Sequence, residues 1–443
     1  MYTLDKAIII GITGRRGKTS TAYLVHKYLK SIGKRSILFS SALIDSPGGY
    51  HKPEETMEFV FANELQIVNI LNEALAYEAE YIIIECWEQS IRNHAFDNIP
   101  FDIKCLTTFW YSGNGHNSAE YVYQNKLKFF KDEDYAKCLI DIVDITKNKN
   151  SHISNFLQDC NASNIILFDS IGRNKLDNIS YQDFFLQNRE SIANLGYTAN
   201  DIKYYATNRN WGLEKQSETL HIQNSTVDVK TTLATSYHLS NIVSAAAILN
   251  EANAFDAESF QEFISNEELQ IPGRMEDIEW NNRTILLDSS DLNLHEIDIS
   301  RDKVPRPIKV VAGYLLTNTA YMQEMHRRRP DYNITYNFDK VPKNVNDYAD
   351  YVYITTNNIC DLTAEYATEQ FASRVTIPYE IILDRKEAIR KAIVDSNEGD
   401  IIVVMGRGTR KVWWVDQERS EIFSDKEAII EILKDLDNKK ETD

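Results

Sequence analysis

Short apolar runs and helically spaced apolar positions alternate along this chain. Ala7-Ile8-Ile9-Ile10 is followed, after a glycine-rich interval, by Ala22-Tyr23-Leu24-Val25-His26-Lys27-Tyr28-Leu29, where apolar residues recur at helical spacing. The rhythm continues with a strand over Ser36–Ser40, a helix over Glu64–Ala76, strands over Tyr81–Cys86 and Ile103–Thr107, and a helix over Ala119–Phe130. It predicts an α/β domain around a mostly parallel sheet. From Tyr204 to Thr232 the pattern shortens to strict alternation (Thr219–Ile222, Thr226–Lys230), which predicts antiparallel strands at an edge. A strongly apolar helix over Leu239–Leu249 follows.

Ile271-Pro272-Gly273 punctuates the chain and marks the expected boundary between a first domain, 1–271, and a smaller second one, 272–443. Beyond it a second α/β rhythm begins. Strands are predicted over Thr284–Leu287, Ile308–Ala312, Tyr351–Thr355 and Ile401–Met405. Helices are predicted over Tyr321–Arg328, Leu362–Ser373, Arg385–Val394 and Lys426–Leu436. The fold class read from the pattern is α/β, a P-loop-type central sheet followed by a smaller Rossmann-like domain.

Composition narrows the function classes. The 443 residues are 43% hydrophobic and 26% charged, an ordinary globular balance. A net charge of -18 without a basic stretch argues against nucleic-acid binding. The five cysteines (Cys86, Cys105, Cys138, Cys160, Cys360) form no CxxC pair, so neither a zinc site nor a disulfide framework is suggested. No apolar run approaches the roughly 18 residues of a membrane span, and no signal peptide is expected ahead of the first strand. A cytoplasmic protein with no membrane partner is expected, as a monomer or small homo-oligomer.

The interval between the first strand and helix is Gly11-Ile12-Thr13-Gly14-Arg15-Arg16-Gly17-Lys18-Thr19-Ser20-Thr21. Strand, glycine loop, Lys-Thr and helix together make a phosphate-cradling unit. Backbone N–H groups approach the phosphates, and the helix N-terminus adds its positive dipole end. Lys18 suits the terminal phosphates and the Thr19 hydroxyl suits magnesium. Ile12 stands where the general Walker spacing has glycine. The bland alternative is a structural glycine turn.

In order and position these landmarks resemble the Mur ligase family, most closely its MurE branch, over nearly the whole chain. The loop is similar to the family's Gly-x-x-Gly-Thr-Asn-Gly-Lys-Thr-Thr-Thr, with Arg15 and Arg16 in place of Thr-Asn. Pro272-Gly273-Arg274-Met275-Glu276 is nearly identical to the family's hinge, and Asp288 takes the place of its ribose-binding aspartate. Ile84-Glu85-Cys86-Trp87-Glu88-Gln89-Ser90 resembles the strand end that carries a magnesium-binding glutamate. His116 to Lys126 resembles a His-(x)-Tyr-x-x-x-Lys stretch whose lysine is carbamylated by carbon dioxide. Tyr237-His238-Leu239-Ser240-Asn241 resembles the segment that touches adenine. Asp384-Arg385-Lys386-Glu387-Ala388-Ile389 and Gly406-Arg407-Gly408 resemble motifs of the C-terminal domain.

The resemblance implies ATP and magnesium as cofactors. It implies Gly14, Arg15, Arg16, Gly17, Lys18, Thr19, Ser20, Asn241, Arg274 and Asp288 at the nucleotide, and Thr19, Glu85, His116 and carbamylated Lys126 at magnesium. It assigns the catalytic roles to Lys18, Glu85 and Lys126. Each residue keeps a second reading. Glu85 is otherwise a surface carboxylate, Lys126 a solvated helix lysine, Asn241 a cap for a helix beginning at Ser240, and Arg274 a partner of Glu276 or Asp277.

Departures from the family pattern carry information too. The family's Asp-His-Leu-Asp, with its metal-binding histidine, is replaced by Trp110-Tyr111-Ser112-Gly113-Asn114-Gly115. Either His116 takes that role or the second magnesium site is weakened. Gly313-Tyr314-Leu315-Leu316-Thr317-Asn318 stands for the Gly-Gly-Asp-Arg-Asp loop, and Asn357-Asn358-Ile359-Cys360 for the Asp-Asn-Pro-Arg of diaminopimelate-adding members. His51-Lys52-Pro53 replaces Thr-Thr-Pro, and no UDP-sugar-binding domain is expected ahead of the first strand.

The activity implied is ADP-forming ligation. A substrate carboxylate is activated as an acyl phosphate and joined to an amino acid or other amine, outside murein synthesis and in specialised metabolism. The second domain is expected to close about Pro272-Gly273. Two rivals stand beside this: a degenerate homologue serving as an ATP-binding partner subunit, and a polyamino-acid synthetase that extends its product repeatedly.

Overall fold

The computed structural model describes residues 7–41, 43–46, 64–109, 119–130, 136–142, 152–160, 162, 164–171, 180–212, 215–223, 225–289, 294, 306–314, 338–359, 362–415 and 419–442. They form two compact units, one reaching to Leu269 and the other running from Gln270 and including Leu233–Thr235.

In the first unit the strands are β1 (Ile8–Thr13), β2 (Ser36–Phe39), β3 (Ile44–Asp45), β4 (Tyr81–Glu85), β5 (Ile103–Leu106), β6 (Lys137–Asp141), β7 (Ile165–Asp169), β8 (Ile202–Asn210), β9 (Gln216–Ile222) and β10 (Ser225–Thr231). The helices are α1 (Lys18–Ser31), α2 (Glu64–Ala76), α3 (Glu88–Arg92), α4 (Ala119–Phe130), α5 (His152–Asp159), α6 (Tyr181–Asn188), α7 (Glu190–Ala193), α8 (Ser236–Glu251) and α9 (Ala257–Ile264). One sheet holds the strands in the order β10-β9-β8-β7-β6-β5-β1-β4-β2-β3. Pairing is parallel from β8 across to β2, and antiparallel for β9, β10 and the short β3.

Consecutive residues of β1, β2, β4 and β5 are buried, so both sheet faces are covered there. In β9 and β10 burial alternates instead, because one face of this edge meets solvent. Phe101 and Phe129 pack edge to face at 5.5 Å between ring centres, within one apolar core that also takes in Phe130 and Phe156.

The order places β1 between β4 and β5, where the winding reverses. In open parallel sheets this is where a crevice opens beyond the strands' carboxyl ends. The loop after β1 and the first turn of α1 occupy that position. α1 closes at its far end through Lys34 N–H to Leu29 O (2.9 Å) and Gly33 N–H to Lys30 O (3.0 Å).

The second unit holds β11 (Glu276–Trp280), β12 (Arg283–Asp288), β13 (Ile308–Ala312), β14 (Tyr351–Ile354), β15 (Tyr379–Ile381) and β16 (Ile401–Met405), ordered β11-β12-β16-β13-β14-β15. Only β11 runs antiparallel in this sheet. Its helices are α10 (Lys340–Tyr348), α11 (Ala364–Ala372), α12 (Arg385–Val394) and α13 (Asp425–Thr442), and a hairpin pairs β17 (Val412–Trp414) with β18 (Ser420–Ile422). Arg385 and Asp425, both fully buried, are joined by two hydrogen bonds of 2.7 and 2.8 Å that tie the start of α12 to the start of α13.

The expected α/β class, with its large parallel sheet and edge hairpin, is the one observed. Some expectations need adjustment. The apolar helix starts at Ser236, ahead of Leu239, so Asn241 lies inside α8 and does not cap it. The helix expected from Leu362 starts at Ala364, because the Thr363 side chain accepts from Tyr366 N–H and sets the cap. Strands β3, β6, β7, β11 and β15 go beyond the pattern. The expected helix over Tyr321–Arg328 lies outside the described residues.

Candidate active site

The phosphate-type loop is built from its neighbour strand as much as from itself. Arg15 N–H donates to Thr108 O (3.0 Å) and Arg16 N–H to Thr108 Oγ1 (2.8 Å). Thr107 Oγ1 donates back to Arg16 O at 2.6 Å. These two threonines, just past β5, hold the loop in shape, and sequence reasoning gave them no role. Gly14 and Gly17 adopt φ values of 147° and 85°. A Cβ on residue 14 would come 2.3 Å from Thr107 Oγ1, and one on residue 17 would come 2.7 Å from Asn241 Oδ1. Glycine is required at both positions by conformation and by space. The side chains of Arg15 and Arg16 are exposed.

α1 then begins at Lys18 with no side-chain cap. Its first N–H groups have no intrahelical acceptor and carry the positive end of the helix dipole, an arrangement suited to an anion. Lys18, Thr19 and Ser20 are all buried in this turn. Lys18 Nζ donates to Gly14 O at 2.9 Å and lies 4.4 Å from the centre of the Trp87 ring. Burial pulls its ammonium down to about 8. The carboxylates of Glu85 and Glu88 oppose that shift, and the positive charges of Lys126 and Arg15 add to it.

Glu85 closes the other side of the loop from the end of β4, where it pairs in register with Ile12 of β1. It is 1% exposed. Its Oε1 accepts from Thr19 Oγ1 at 2.9 Å and its Oε2 from Ser41 N–H at 2.8 Å. Thr19 Oγ1 also lies 3.2 Å from Ser41 Oγ. Two oxygen donors, a hydroxyl and a carboxylate, thus meet beside the helix N-terminus, and oxygen donors are what a hard divalent cation takes.

Lys126 of α4 is fully buried, and its Nζ lies 3.1 Å from Glu88 Oε1 in α3. The contact is a close ion pair and lacks the alignment of a hydrogen bond. Burial lowers the lysine's pKa, with Glu88 opposing. Glu88 lies inside the segment singled out in the sequence, two positions beyond Cys86, but only Glu85 was given a role there. Asn241 lies against Gly17, and its Nδ2 is buried with no hydrogen-bond partner among the described atoms. His116 lies outside the described residues. Among those residues no three His, Cys, Asp or Glu side chains converge as a metal cluster.

The remaining candidates belong to the second unit. Arg274 is half-buried, with Nη1 donating to Gly273 O at 3.0 Å. Glu276 is engaged elsewhere: it accepts from Gly273 N–H (2.9 Å) and pairs with Lys426. Asp288 ends β12 at 1% exposure, and its carbonyl accepts from Gly406 N–H at 2.9 Å. Asn357 and Asn358 are buried at the end of β14, and their side-chain oxygens accept from Arg407 Nη1 at 3.3 and 3.2 Å. Burial brings the Arg407 guanidinium down to about 9.

Comparison with known proteins gives this geometry a context. Residues 12–249 match the Mur ligase middle domain. The chain is 24% identical over 419 residues to the UDP-N-acetylmuramoyl-L-alanyl-D-glutamate--2,6-diaminopimelate ligase of Prochlorococcus marinus subsp. pastoris, covering 91% of this chain and 73% of that protein. A solved structure of an enzyme of the same name superposes with a TM-score of 0.59 at 17% identity, over 97% of this chain and 79% of that one. MurF ligase from Thermotoga maritima, solved with ADP, also reaches 0.59, at 14% identity over 98% of this chain and 81% of that one. Among the described residues, no helix is long and apolar enough to cross a membrane.

Proposed function

The chain belongs to the Mur ligase family of ATP-dependent amide ligases, and from that premise we propose that it activates a substrate carboxylate as an acyl phosphate and couples it to an amine, with an amino acid as the preferred class. Residues 1–271 form the ATP-binding domain in this reading and 272–443 the C-terminal domain. The observation that carries it is the meeting of Lys18, Thr19 and Glu85 at the crevice beside β1.

In this reading a carboxylate oxygen of the substrate attacks the γ-phosphorus of ATP, and the bond to the ADP oxygen breaks. The amine then attacks the acyl carbon and phosphate departs, carrying one of the carboxylate oxygens. Catalysis of such a transfer is mostly positioning and charge neutralisation. Lys18 leaves Gly14 O to meet the terminal phosphates, while the N–H groups of α1 receive them. The donors at Thr19 and Glu85 fit magnesium, which when bound supplies positive charge at the phosphates. Lys126 adds a second buried cation near Lys18. Asn241, Arg274 and Asp288 are assigned to the rest of the nucleotide. The carbamate implied at Lys126 does not fit a nitrogen already against a carboxylate, and no step here passes through it.

The acceptor differs from diaminopimelate in this reading. Where the diaminopimelate-adding members carry the arginine of Asp-Asn-Pro-Arg, Cys360 stands, so the guanidinium for the distal carboxylate is missing. Asn357 and Asn358, at the first two positions of that segment, turn their side-chain oxygens to Arg407. A screen of carboxylate–amine pairs, read by ADP release, tests the proposal. Release that needs both partners supports it. Its absence over a broad panel favours a non-catalytic ATP-binding partner, and products of many lengths favour a polyamino-acid synthetase.

A further inference from the structure

Lys126 and Glu88 make a pair that the phosphate chemistry above does not require. Their side chains are 0% and 16% exposed, and the charged atoms stand 3.1 Å apart. A buried ammonium left without a partner costs several kcal/mol, so Glu88 is what allows a lysine at this depth. Gln89 and Ser90 follow Glu88 in the sequence and carry no charge, so Glu88 alone of this turn can fill the role.

Carbamylation would join the neutral nitrogen to the carbon of carbon dioxide and release a proton, exchanging a cation for an anion. Here the new carboxylate would grow within contact distance of Glu88, from a nitrogen that is itself fully buried. An attraction would become a repulsion between two carboxylates, at the low effective dielectric where such terms are largest. A separate observation points the same way. The histidine-bearing Asp-His-Leu-Asp of the resembling family is replaced by Trp110-Tyr111-Ser112-Gly113. The loop that supplies a histidine to the second magnesium in that family is thus rebuilt in the same chain in which Lys126 faces Glu88.

We infer that Lys126 acts as an unmodified ammonium fixed by Glu88, that this pair replaces the carbamate and the metal it would hold, and that the chain's chemistry is independent of carbon dioxide. Glu88 is a positioning residue in this arrangement: it acts through Lys126. The last clause rests on the ligase reading; the state of Lys126 does not.

The test is carbon-13 NMR of the full chain equilibrated with labelled bicarbonate, with and without magnesium and ATP. No carbamate resonance is expected in either condition. A resonance present in the native chain and absent from Lys126→Arg overturns the inference. Thermal melting of Glu88→Gln, Lys126→Met and the double variant gives a second readout. Each single change is expected to lower the melting temperature, with the double losing less than the sum. Additive losses overturn the pairing. Neither readout uses turnover, so a chain without ligase activity would refute the proposed function and leave this inference standing. Where turnover is found, removing carbon dioxide is expected to leave its rate unchanged, and a fall that bicarbonate restores overturns the inference.

Discussion

Thr19 Oγ1 donates to Glu85 Oε1 across 2.9 Å, joining the first turn of α1 to the end of β4. The bond sets a hydroxyl and a carboxylate side by side where the helix dipole is positive. A nucleotide's metal and phosphates need this combination, so both residues should matter more to ATP than to folding.

Glu85→Gln removes the charge and keeps the shape: its amide oxygen can accept from Ser41 N–H while its NH2 donates to Thr19 Oγ1. It should lower kcat for ADP release by on the order of 10²–10³, the scale of losing one preorganised electrostatic contact. The melting temperature should change little. Magnesium titrations of turnover should show the loss as a weaker metal requirement curve, whereas unchanged kcat would remove Glu85 from the site.

Gly14→Ala puts a Cβ against Thr107 Oγ1 and the Thr108 backbone, at a φ that alanine disfavours. The strain is about 1–3 kcal/mol. Calorimetric titration should show ATP affinity largely lost, with most of the melting temperature retained. Full affinity in this variant would mean that the loop does not hold phosphate in the observed shape.

The ammonium of Lys18 rests over Trp87 in the free chain. Removing the ring in Trp87→Leu takes away a contact worth about 0.5–2 kcal/mol to the free chain, so it should lower the melting temperature without weakening ATP binding. Trp87→Phe should recover most of it. ATP should also change tryptophan emission in the native chain, and Trp87→Phe should lack that change.

Much of this site was legible in the sequence because its signals are local. Gly14 to Thr19 sits between a buried strand and a helix, and both announce themselves by apolar spacing. The alternation of β9 and β10 was legible for the same reason. Contacts between distant segments were not. Thr107 and Thr108 bind the loop through a neighbouring strand, and Glu88 gains its meaning only when α4 brings Lys126 to it. β6 (Lys-Cys-Leu-Ile-Asp) is too short and mixed to stand out, yet its place inside the sheet buries it.

The second unit offers a pH test. Asp277 is half-buried beside Glu279, and burial first, then that carboxylate, push it up to about 6. A carboxyl raised in the folded state binds its proton more tightly there than when unfolded. Its contribution is therefore full below the usual carboxylate range and is lost as pH rises through about 6. Asp277→Asn should stabilise the chain by about 1–2 kcal/mol at pH 7 to 8, after solvent screening is allowed for, and by little at pH 4. Denaturant melts at the two pH values check the sign. An equal effect at both would contradict it.

The central claim is acyl-phosphate ligation, and oxygen-18 tests it most directly. With the carboxylate substrate labelled in both oxygens, the phosphate released during amine-dependent turnover is read by mass spectrometry. The account predicts one labelled oxygen in each phosphate, transferred when the carboxylate attacks ATP and the amine then displaces phosphate. Unlabelled phosphate from a chain that forms the amide would contradict it.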